Sequence, residues 1–384
     1  MIRLETFGSF LKDCGIDFLS GVPCSSLQGL INYSISHFSY VGTTGEAESV
    51  AVASGAFLGG KKSAVLLQNS GLPGALDPFT SLNATFKIPI LGFVGLRGEP
   101  GADDQPQHAL IGSITEKLLT TCSIPTFFLS TNEKEVREQL DHADCLLEQN
   151  KSVFFIVRKG TFYNYSNLKE RMGQKNAPTL IRSKYPKEWP LRARALEIIS
   201  EQKNGATVVL TTTGHTSREL FEIADSPQHF YMVGSMGCVS SIALGLAMSK
   251  PTLKVIAIDG DGALLMRMGL LATNGFYRPP NLLHVLIDNE AHESTGGQAT
   301  VSADVDFPAI AASSGYPMAI ETNTIEEFSN SITEWKVNPK LTFISLKVRK
   351  AEQKIFPRVG VSPEHVKARF MNFIEEVTTE RVGP

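Results

Sequence analysis

The chain has 384 residues, which is long enough for two α/β domains with separate cores. Its 36 Lys and Arg against 39 Asp and Glu give a net charge of −3, so we expect no nucleic-acid partner. We expect no membrane partner, because no apolar run reaches membrane-spanning length. We expect a cytoplasmic protein, because the N-terminus lacks the basic and apolar blocks of a signal peptide, and because five widely spaced cysteines do not suit a disulfide framework.

Short apolar runs in the first half of the chain predict strands. They are residues 17–20, 40–43, 63–67, 89–94 and 153–157, with helical patterns between them. The runs are continuous rather than alternating, which is typical of parallel strands buried on both faces of a sheet. We predict a first domain over residues 1–165.

The apolar pattern fades after residue 163, where Lys, Arg, Asn and Pro accumulate, and we predict a linker over residues 166–190. Alternation of helix and strand then resumes in a second domain, 191–384. Its predicted elements are a helix at 191–200, strands at 206–211, 230–233, 254–259, 282–288, 318–321 and 342–348, an amphipathic segment at 263–277 and a C-terminal helix at 362–377. The predicted fold class is α/β, with two domains that each contain a mostly parallel sheet with helices on both faces.

Polar residues follow two neighbouring strands of the second domain. Gly260-Asp261-Gly262 follows one strand, and Asp288-Asn289 closes the next. Carboxyl ends of parallel strands meet at one edge of a sheet, so Asp261 and Asn289 are expected to lie close together there. Two hard oxygen ligands beside glycines suit Mg²⁺ that keeps further positions for a diphosphate.

Two more segments belong to the same predicted edge. Gly214, Thr216 and Ser217 lie where a strand turns into a helix, which suits a diphosphate bound by backbone N–H groups, or an ordinary helix N-cap. Met236 stands between Gly234 and Gly237, where it would form an apolar wedge or mark close helix–strand packing.

In the first domain, Glu46 begins a helix of small residues that runs through Gly55. A carboxylate there ordinarily stabilises the helix dipole. Together with the motifs above, however, the segment resembles the phosphonopyruvate and sulfopyruvate decarboxylase branch of the thiamine diphosphate (ThDP)-dependent 2-oxo acid decarboxylases. The resemblance covers nearly the whole chain, and the short linker matches the absence of the middle domain that larger relatives have.

The resemblance implies ThDP and Mg²⁺ as cofactors, bound by a pyrimidine-binding domain followed by a diphosphate-binding domain. By the family pattern, Glu46 hydrogen-bonds the pyrimidine ring, an assignment based on its spacing to Gly55, with Glu48 as the competing choice. The implied magnesium ligands are Asp261, Asn289 and the Ala291 carbonyl. The implied cofactor-binding residues are Gly214, Thr216, Ser217, Gly234, Met236, Gly260 and Gly262.

One departure from the family pattern concerns the metal motif. The family often has two asparagines where this chain has Asp288-Asn289, and the spacing from Asp261 is one residue longer than in pyruvate decarboxylase. The extra residue fits in the Pro279-Pro280 loop, so a magnesium site is still expected.

Five segments resemble the phosphonopyruvate branch in particular: residues 20–27, 68–72, 96–108, 157–162 and 292–298. A phosphonate or sulfonate group needs cations and N–H or O–H donors. The side chains in these loops that can supply them are Ser25, Ser26, Arg97, His108 and His292. Two alternatives stay open: Arg97 pairs with Asp103 or Asp104, and the serine pair only caps the following helix.

The implied reaction is non-oxidative decarboxylation of 3-phosphonopyruvate to phosphonoacetaldehyde and CO₂ in phosphonate biosynthesis. Sulfopyruvate, which would give sulfoacetaldehyde, is the nearest alternative, and a non-catalytic ThDP-fold partner subunit is a lesser one. His108, His292 and Glu293 are candidates for proton transfer. The family places the two ends of the cofactor on different subunits, which implies at least a homodimer with shared active sites.

Overall fold

The computed structural model describes residues 1–167, 173, 177–350 and 356–379. The chain divides into two compact units, Met1–Met172 and Gly173–Pro384. Within the predicted linker, residues 168–172 and 174–176 lie outside the described residues.

The first unit contains a parallel six-stranded sheet in the order β2-β1-β3-β4-β6-β5. The strands are β1 (Ile16–Gly21), β2 (Ser39–Gly42), β3 (Lys62–Gln68), β4 (Leu91–Gly95), β5 (Thr126–Phe128) and β6 (Val153–Val157). The helices are α1 (Leu4–Asp13), α2 (Gln28–His37), α3 (Glu46–Leu58), α4 (Leu72–Pro78), α5 (Ala84–Phe86), α6 (Ala109–Thr121) and α7 (Glu133–Glu148). Single helical turns occur at Ser25–Leu27, Asn69–Gly71, Phe79–Asn83 and Pro106–His108.

Apolar side chains cover both faces of this first sheet, as the continuous apolar runs predict. Phe93 and Phe155 belong to the core on one face, whereas Val94 and Phe154 belong to the core on the other. Helix α3 is buried almost along its whole length, because its small side chains let it pack against β1, β3 and α4. Its first residue, Glu46, is thereby fixed at the carboxyl edge of the sheet.

The second unit contains a parallel seven-stranded sheet in the order β7-β14-β15-β11-β10-β8-β9. The strands are β7 (Thr179–Ile181), β8 (Thr207–Thr211), β9 (His229–Tyr231), β10 (Lys254–Gly260), β11 (Leu282–Asp288), β14 (Met318–Thr322) and β15 (Thr342–Lys347), with a small hairpin of β12 (Ala291–His292) and β13 (Gln298–Ala299). The helices are α8 (Arg192–Gln202), α9 (His215–Ala224), α10 (Val239–Ser249), α11 (Asp261–Met266), α12 (Leu270–Tyr277), α13 (Phe307–Ser313), α14 (Ile325–Val337) and α15 (Pro363–Thr379).

The fold class is as predicted, and the differences concern short elements. Two three-residue edge strands, β5 and β7, were not predicted because their apolar runs are short, and their residues are half-buried or exposed. Strand β7 lies within the predicted linker and pairs with β14. The amphipathic segment at 263–277 forms two helices, α11 and α12, rather than one.

The register of the second sheet places three loops at one edge. Ile258 of β10 pairs with Thr211 of β8, and Gly260 of β10 pairs with Ile287 of β11. The residues that follow these strands therefore leave the sheet side by side. In the part of the chain that the structure describes, no helix is both long and apolar enough to span a membrane.

Candidate active site

A polar cleft lies at this edge of the second unit. It is lined by ten residues predicted to bind cofactor or metal or to transfer a proton: Gly214, Thr216, Met236, Gly260, Asp261, Gly262, Asn289, Ala291, His292 and Glu293. Two other predicted cofactor residues, Ser217 and Gly234, are not among the residues that line it. Ser217 is buried, and its hydroxyl lies 2.6 Å from the Thr212 carbonyl oxygen.

The loop after β8 forms one wall of the cleft and leads into helix α9. Gly214 precedes this helix with φ +88° and ψ −144°, a conformation that suits only glycine. The backbone N–H groups of the first turn of a helix have no intrahelical partners, and the helix dipole adds positive potential there. The wall is therefore suited to an anionic phosphate group.

Asp261 is the first residue of α11 and is 3% exposed. Its Oδ2 accepts hydrogen bonds from the hydroxyls of Thr300 and Ser302, the latter at 3.0 Å. These donors fix the side chain, while a carboxylate can still offer an oxygen lone pair to a cation.

Asn289 and Ala291 flank Glu290, which has φ +54°. A left-handed non-glycine residue is uncommon and is often found at functional sites. Asn289 Oδ1 accepts from the Ala291 N–H at 3.2 Å, and both residues line the cleft with Asp261. No group of three His, Cys, Asp or Glu suited to a metal occurs among the described residues. An Asp carboxylate, an Asn amide and a carbonyl are nevertheless hard oxygen donors that fit Mg²⁺.

Met236 lies in a tight turn whose neighbours, Ser235 and Gly237, have φ +52° and +83°. A β-carbon on Gly237 would lie 2.6 Å from the Ala263 carbonyl, so the turn packs directly on α11. Half-buried Met236 is among the residues that line the polar cleft, and its role as an apolar wedge stays a prediction.

A buried ion-pair cluster borders the cleft, and the sequence did not reveal it. Arg192 Nε lies 2.6 Å from Glu219, and Arg192 Nη1 lies 2.7 Å from Glu293. Burial and the Arg192 charge lower the pKa of His215, whose Nδ1 is 3.5 Å from Glu293. Arg192 lies in a charged helical segment, a pattern that is typical of a solvent-exposed helix face. The local sequence therefore does not indicate that this side chain is buried. Glu293, a proton-transfer candidate, is therefore anchored by a guanidinium.

His292 packs against the glycine of the metal motif. A β-carbon on Gly262 would lie 2.4 Å from the His292 Cε1 atom, so only glycine allows the imidazole to lie there. The sequence named both residues from separate segments, and the structure brings them together in the cleft.

In the first unit, the two candidate carboxylates at the start of α3 have different surroundings. Glu48 is 6% exposed, and its Oε2 accepts hydrogen bonds from the Thr44 N–H at 2.9 Å and the Thr44 hydroxyl at 2.6 Å. Glu46 is half-buried, and its carboxylate occupies the space that a β-carbon on Gly71 would fill. Glu48 is thus tied to its own helix start, whereas Glu46 extends away from its helix to the Asn69–Gly71 turn.

Two of the predicted anion-binding side chains of the first unit, Arg97 and Ser25, are hydrogen-bonded to each other. Arg97 Nη1 donates to Ser25 Oγ at 2.9 Å, and its Nε and Nη2 donate to both oxygens of Asp104. The Arg97 ion pair and the N–H groups of Gly98 and Gln105 hold the pKa of the Asp104 carboxyl well below its usual range. One alternative for Arg97, an ion pair with Asp104, is therefore present in this structure.

Ser26 and His108 occupy closely packed positions. Ser26 Oγ lies 3.1 Å from Cys24 Sγ, and a β-carbon on Gly95 would meet both atoms. His108 is 9% exposed, and among the described residues its Nδ1 has no hydrogen-bond partner. A buried ring nitrogen without a partner is uncommon and is consistent with a group that acts on a bound molecule.

Comparison with known proteins agrees with these features. Residues 212–346 match the family model described as thiamine pyrophosphate enzyme, C-terminal TPP binding domain. The chain is 36% identical over 382 residues to a phosphonopyruvate decarboxylase from Streptomyces hygroscopicus, covering 98% of this chain and 95% of the relative. It is 28% identical to a sulfopyruvate decarboxylase from Methanosarcina acetivorans, covering 95% of this chain and 96% of that one.

A solved structure shows the same fold at low sequence identity. The benzoylformate decarboxylase of Polynucleobacter necessarius superposes with a TM-score of 0.72 at 12% identity, covering 92% of this chain and all of that chain. The sequence match to the Streptomyces enzyme extends over both units at a level that establishes common descent. The chain belongs to the phosphonopyruvate decarboxylase family of ThDP-dependent enzymes.

Proposed function

We propose that the protein decarboxylates 3-phosphonopyruvate to phosphonoacetaldehyde and CO₂, with ThDP and Mg²⁺ as cofactors. The observation that carries the proposal is the similarity to phosphonopyruvate decarboxylases along almost the entire chain. The polar cleft of the second unit supports it, because that cleft combines a helix N-terminus with hard oxygen donors.

In this proposal, Asp261, Asn289 and the Ala291 carbonyl hold Mg²⁺, and the loop at Gly214 and Thr216 binds the diphosphate through backbone N–H groups. Gly234, Gly260 and Gly262 leave room for close backbone approach, Met236 supports the bend of the cofactor, and Ser217 braces the diphosphate loop from inside. When bound, ThDP supplies a nucleophilic carbon and an electron sink for the loss of CO₂. Everything else in the reaction depends on the side chains of the protein.

Glu46 is proposed to hydrogen-bond the pyrimidine ring of the cofactor. Its carboxylate extends away from its own helix, whereas Glu48 is held by Thr44. The spacing of Glu46 to Gly55 also matches the family pattern. Glu48 remains the competing choice, because its buried Oε1 has no hydrogen-bond partner among the described residues.

Arg97, Ser25, Ser26 and His108 are proposed to recognise the phosphonate. Asp104 engages Arg97 through Nε and Nη2, which fixes the guanidinium plane and leaves N–H groups of a five-donor fork for an anion. His108 and His292 are proposed to transfer the proton that completes the aldehyde, since an imidazole can both donate and accept a proton. Glu293 is the weaker candidate because Arg192 and His215 already surround it.

The proposal extends to a cytoplasmic enzyme of phosphonate biosynthesis that acts as at least a homodimer with shared active sites. Cys14, Cys24, Cys122 and Cys145 are free thiols, which suits a reducing compartment. A homodimer is what the family arrangement requires if the two ends of one cofactor bind to different subunits.

The decisive experiment measures CO₂ release from phosphonopyruvate, sulfopyruvate and pyruvate, each with ThDP and Mg²⁺ and again with ThDP plus a chelator. We expect the highest kcat/KM for phosphonopyruvate and loss of activity with the chelator. A higher kcat/KM for sulfopyruvate would establish the sulfonate alternative. Absence of CO₂ release from all three acids would favour a non-catalytic ThDP-fold subunit.

A further inference from the structure

The 3₁₀ turn Asn69–Gly71 follows β3 and contacts two residues to which we assign chemistry in the first unit, Glu46 and Arg97. We propose that this turn sets the positions of both: Gly71 seats the Glu46 carboxylate, and Asn69 fixes the backbone of Arg97. The inference rests on the proposed function, because it assigns positioning residues to that same site.

Gly71 is required for space and not for backbone conformation. Its φ of −92° and ψ of −9° are available to any residue. A β-carbon there, however, would lie 1.8 Å from Glu46 Oε1 and 2.0 Å from Glu46 Cδ. An added methyl group would therefore displace the end of a flexible side chain, which costs little stability but moves the carboxylate.

Asn69 is fully buried and holds Arg97 through both backbone polar groups. Asn69 Oδ1 accepts from the Arg97 N–H at 3.1 Å, and Asn69 Nδ2 donates to the Arg97 carbonyl at 2.8 Å. Nδ2 also donates to Thr115 Oγ1 at 3.0 Å, and that hydroxyl donates to the Ile111 carbonyl in α6. The Asn69 side-chain amide thus makes the backbone hydrogen bonds to Arg97 that a neighbouring strand would make, at the point where β4 ends and the loop begins.

These contacts give one short turn two separate effects. Through Gly71 it determines where the Glu46 carboxylate lies, and therefore how well the cofactor is activated. Through Asn69 it determines the position of the Arg97 backbone, from which the guanidinium side chain extends, and therefore how well the anionic end of the substrate is bound. Because three residues span both contacts, the turn links the position of the Glu46 carboxylate to that of the Arg97 backbone.

The effect of Gly71 is tested with Gly71→Ala, using Gly74→Ala as the matched control. Gly74 lies in α4, and a β-carbon there would meet nothing within 4 Å. The informative measurement is deuterium exchange at the thiazolium C2 of bound ThDP, followed by NMR after acid quench, together with ThDP affinity and Tm. We expect Gly71→Ala to slow exchange and kcat by about 100-fold, with ThDP affinity, KM and Tm close to wild type. Gly74→Ala should match wild type throughout.

Wild-type exchange in Gly71→Ala would overturn the positioning role of Gly71 while leaving the proposed function intact. Absence of ThDP binding and of CO₂ release in the wild-type protein would instead overturn the proposed function. The two failures are therefore distinguishable.

The effect of Asn69 is tested with Asn69→Ala, which removes the bonds to Arg97, and with the milder Thr115→Val, which removes only the hydroxyl that orients Asn69. We expect Asn69→Ala to raise the KM for phosphonopyruvate by about tenfold and Thr115→Val by a smaller factor, with C2 exchange within about twofold of wild type. If Asn69→Ala does not fold, Thr115→Val alone decides. Slower exchange with unchanged KM would contradict the proposed division between the two residues.

Discussion

Asp261 and Asp288 share one hydrogen-bond donor, the hydroxyl of Ser302, which lies 3.0 Å from Asp261 Oδ2 and 3.2 Å from Asp288 Oδ1. Both carboxyls are buried. Burial, and then the charge of Asp261, raises the pKa of Asp288 to about 6. The edge of the second sheet therefore concentrates negative charge around a single hydroxyl, an arrangement that a bound cation would stabilise.

Asp288→Asn should raise the stability of the metal-free protein by about 1 kcal/mol at pH 8, because it removes a buried like charge from the neighbourhood of Asp261. An amide oxygen can still accept from the Glu290 N–H, which lies 3.0 Å from Asp288 Oδ1. Urea unfolding with a chelator measures the difference, and repetition in excess Mg²⁺ should reduce it. A less stable variant under metal-free conditions would contradict the expected repulsion.

Asp261→Ala should abolish retention of both Mg²⁺ and ThDP, since it removes the carboxylate proposed to hold the metal that bridges to the diphosphate. Calorimetric titration of the protein with ThDP at saturating Mg²⁺ measures the loss. Asp304→Ala, at an exposed carboxylate that does not line the cleft, is the control and should bind ThDP normally. Wild-type ThDP affinity in Asp261→Ala would count against the proposed metal site.

Glu46→Gln should retain ThDP and Mg²⁺ but lose turnover by about 10²- to 10³-fold, because an amide cannot exchange a proton with the pyrimidine ring. Glu48→Gln should affect turnover less, since the amide oxygen can still accept from Thr44. The measurements are kcat and ThDP affinity for both variants. Near-normal turnover in Glu46→Gln would transfer the role to Glu48.

The sequence predicted the sheets of both units because their strands are buried on both faces and stand out as apolar runs. It also predicted that Asp261, Asn289 and Gly214 belong to one edge, because parallel strands carry their following loops to the same side. The edge strand β7 was missed because its apolar run, Leu180-Ile181, is only two residues long and lies between Thr179 and Arg182.

Contacts between distant side chains could not be predicted from the sequence. Arg192 and Glu293 are 101 residues apart, and the pair forms only because α8 and the β12 hairpin pack beside the same loop. The same holds for the role of Gly71, since a glycine with an ordinary α-region backbone gives no sign that its missing side chain matters. Such relationships depend on tertiary packing, which local residue patterns do not encode.

Arg192→Met should destabilise the protein by about 3 kcal/mol, because it leaves the carboxylates of Glu219 and Glu293 without their buried cation. Arg194→Met in the same helix is the matched control. The Arg194 side chain is 57% exposed, so its loss should cost less than about 0.5 kcal/mol. Urea unfolding measures both, and equal effects of the two substitutions would show that the buried cluster contributes nothing beyond a surface pair.

His229→Gln should make the free energy of unfolding less dependent on pH in the acid range. His229 is fully buried between Lys203 Nζ at 3.1 Å and the Tyr231 hydroxyl at 3.0 Å, and burial, followed by the Lys203 charge, lowers its pKa to about 3. The folded protein therefore holds the neutral ring. Its stabilising effect is complete above the unfolded pKa of about 6.5 and is lost as pH falls toward 3.

One proton taken up on unfolding corresponds to about 1.4 kcal/mol per pH unit. The free energy of unfolding of the wild type should thus fall between pH 6.5 and 4.5 more steeply than that of His229→Gln, by about 1 kcal/mol per unit. Asp225, which belongs to the same hydrogen-bonded chain through Tyr231, is present in both proteins, and its partner Arg369 stays charged throughout this pH range. The control is His365→Gln, at an exposed histidine of α15, which should leave the dependence of the free energy of unfolding on pH as in the wild type. Equal slopes for the wild type and His229→Gln would show that the buried ring does not remain neutral.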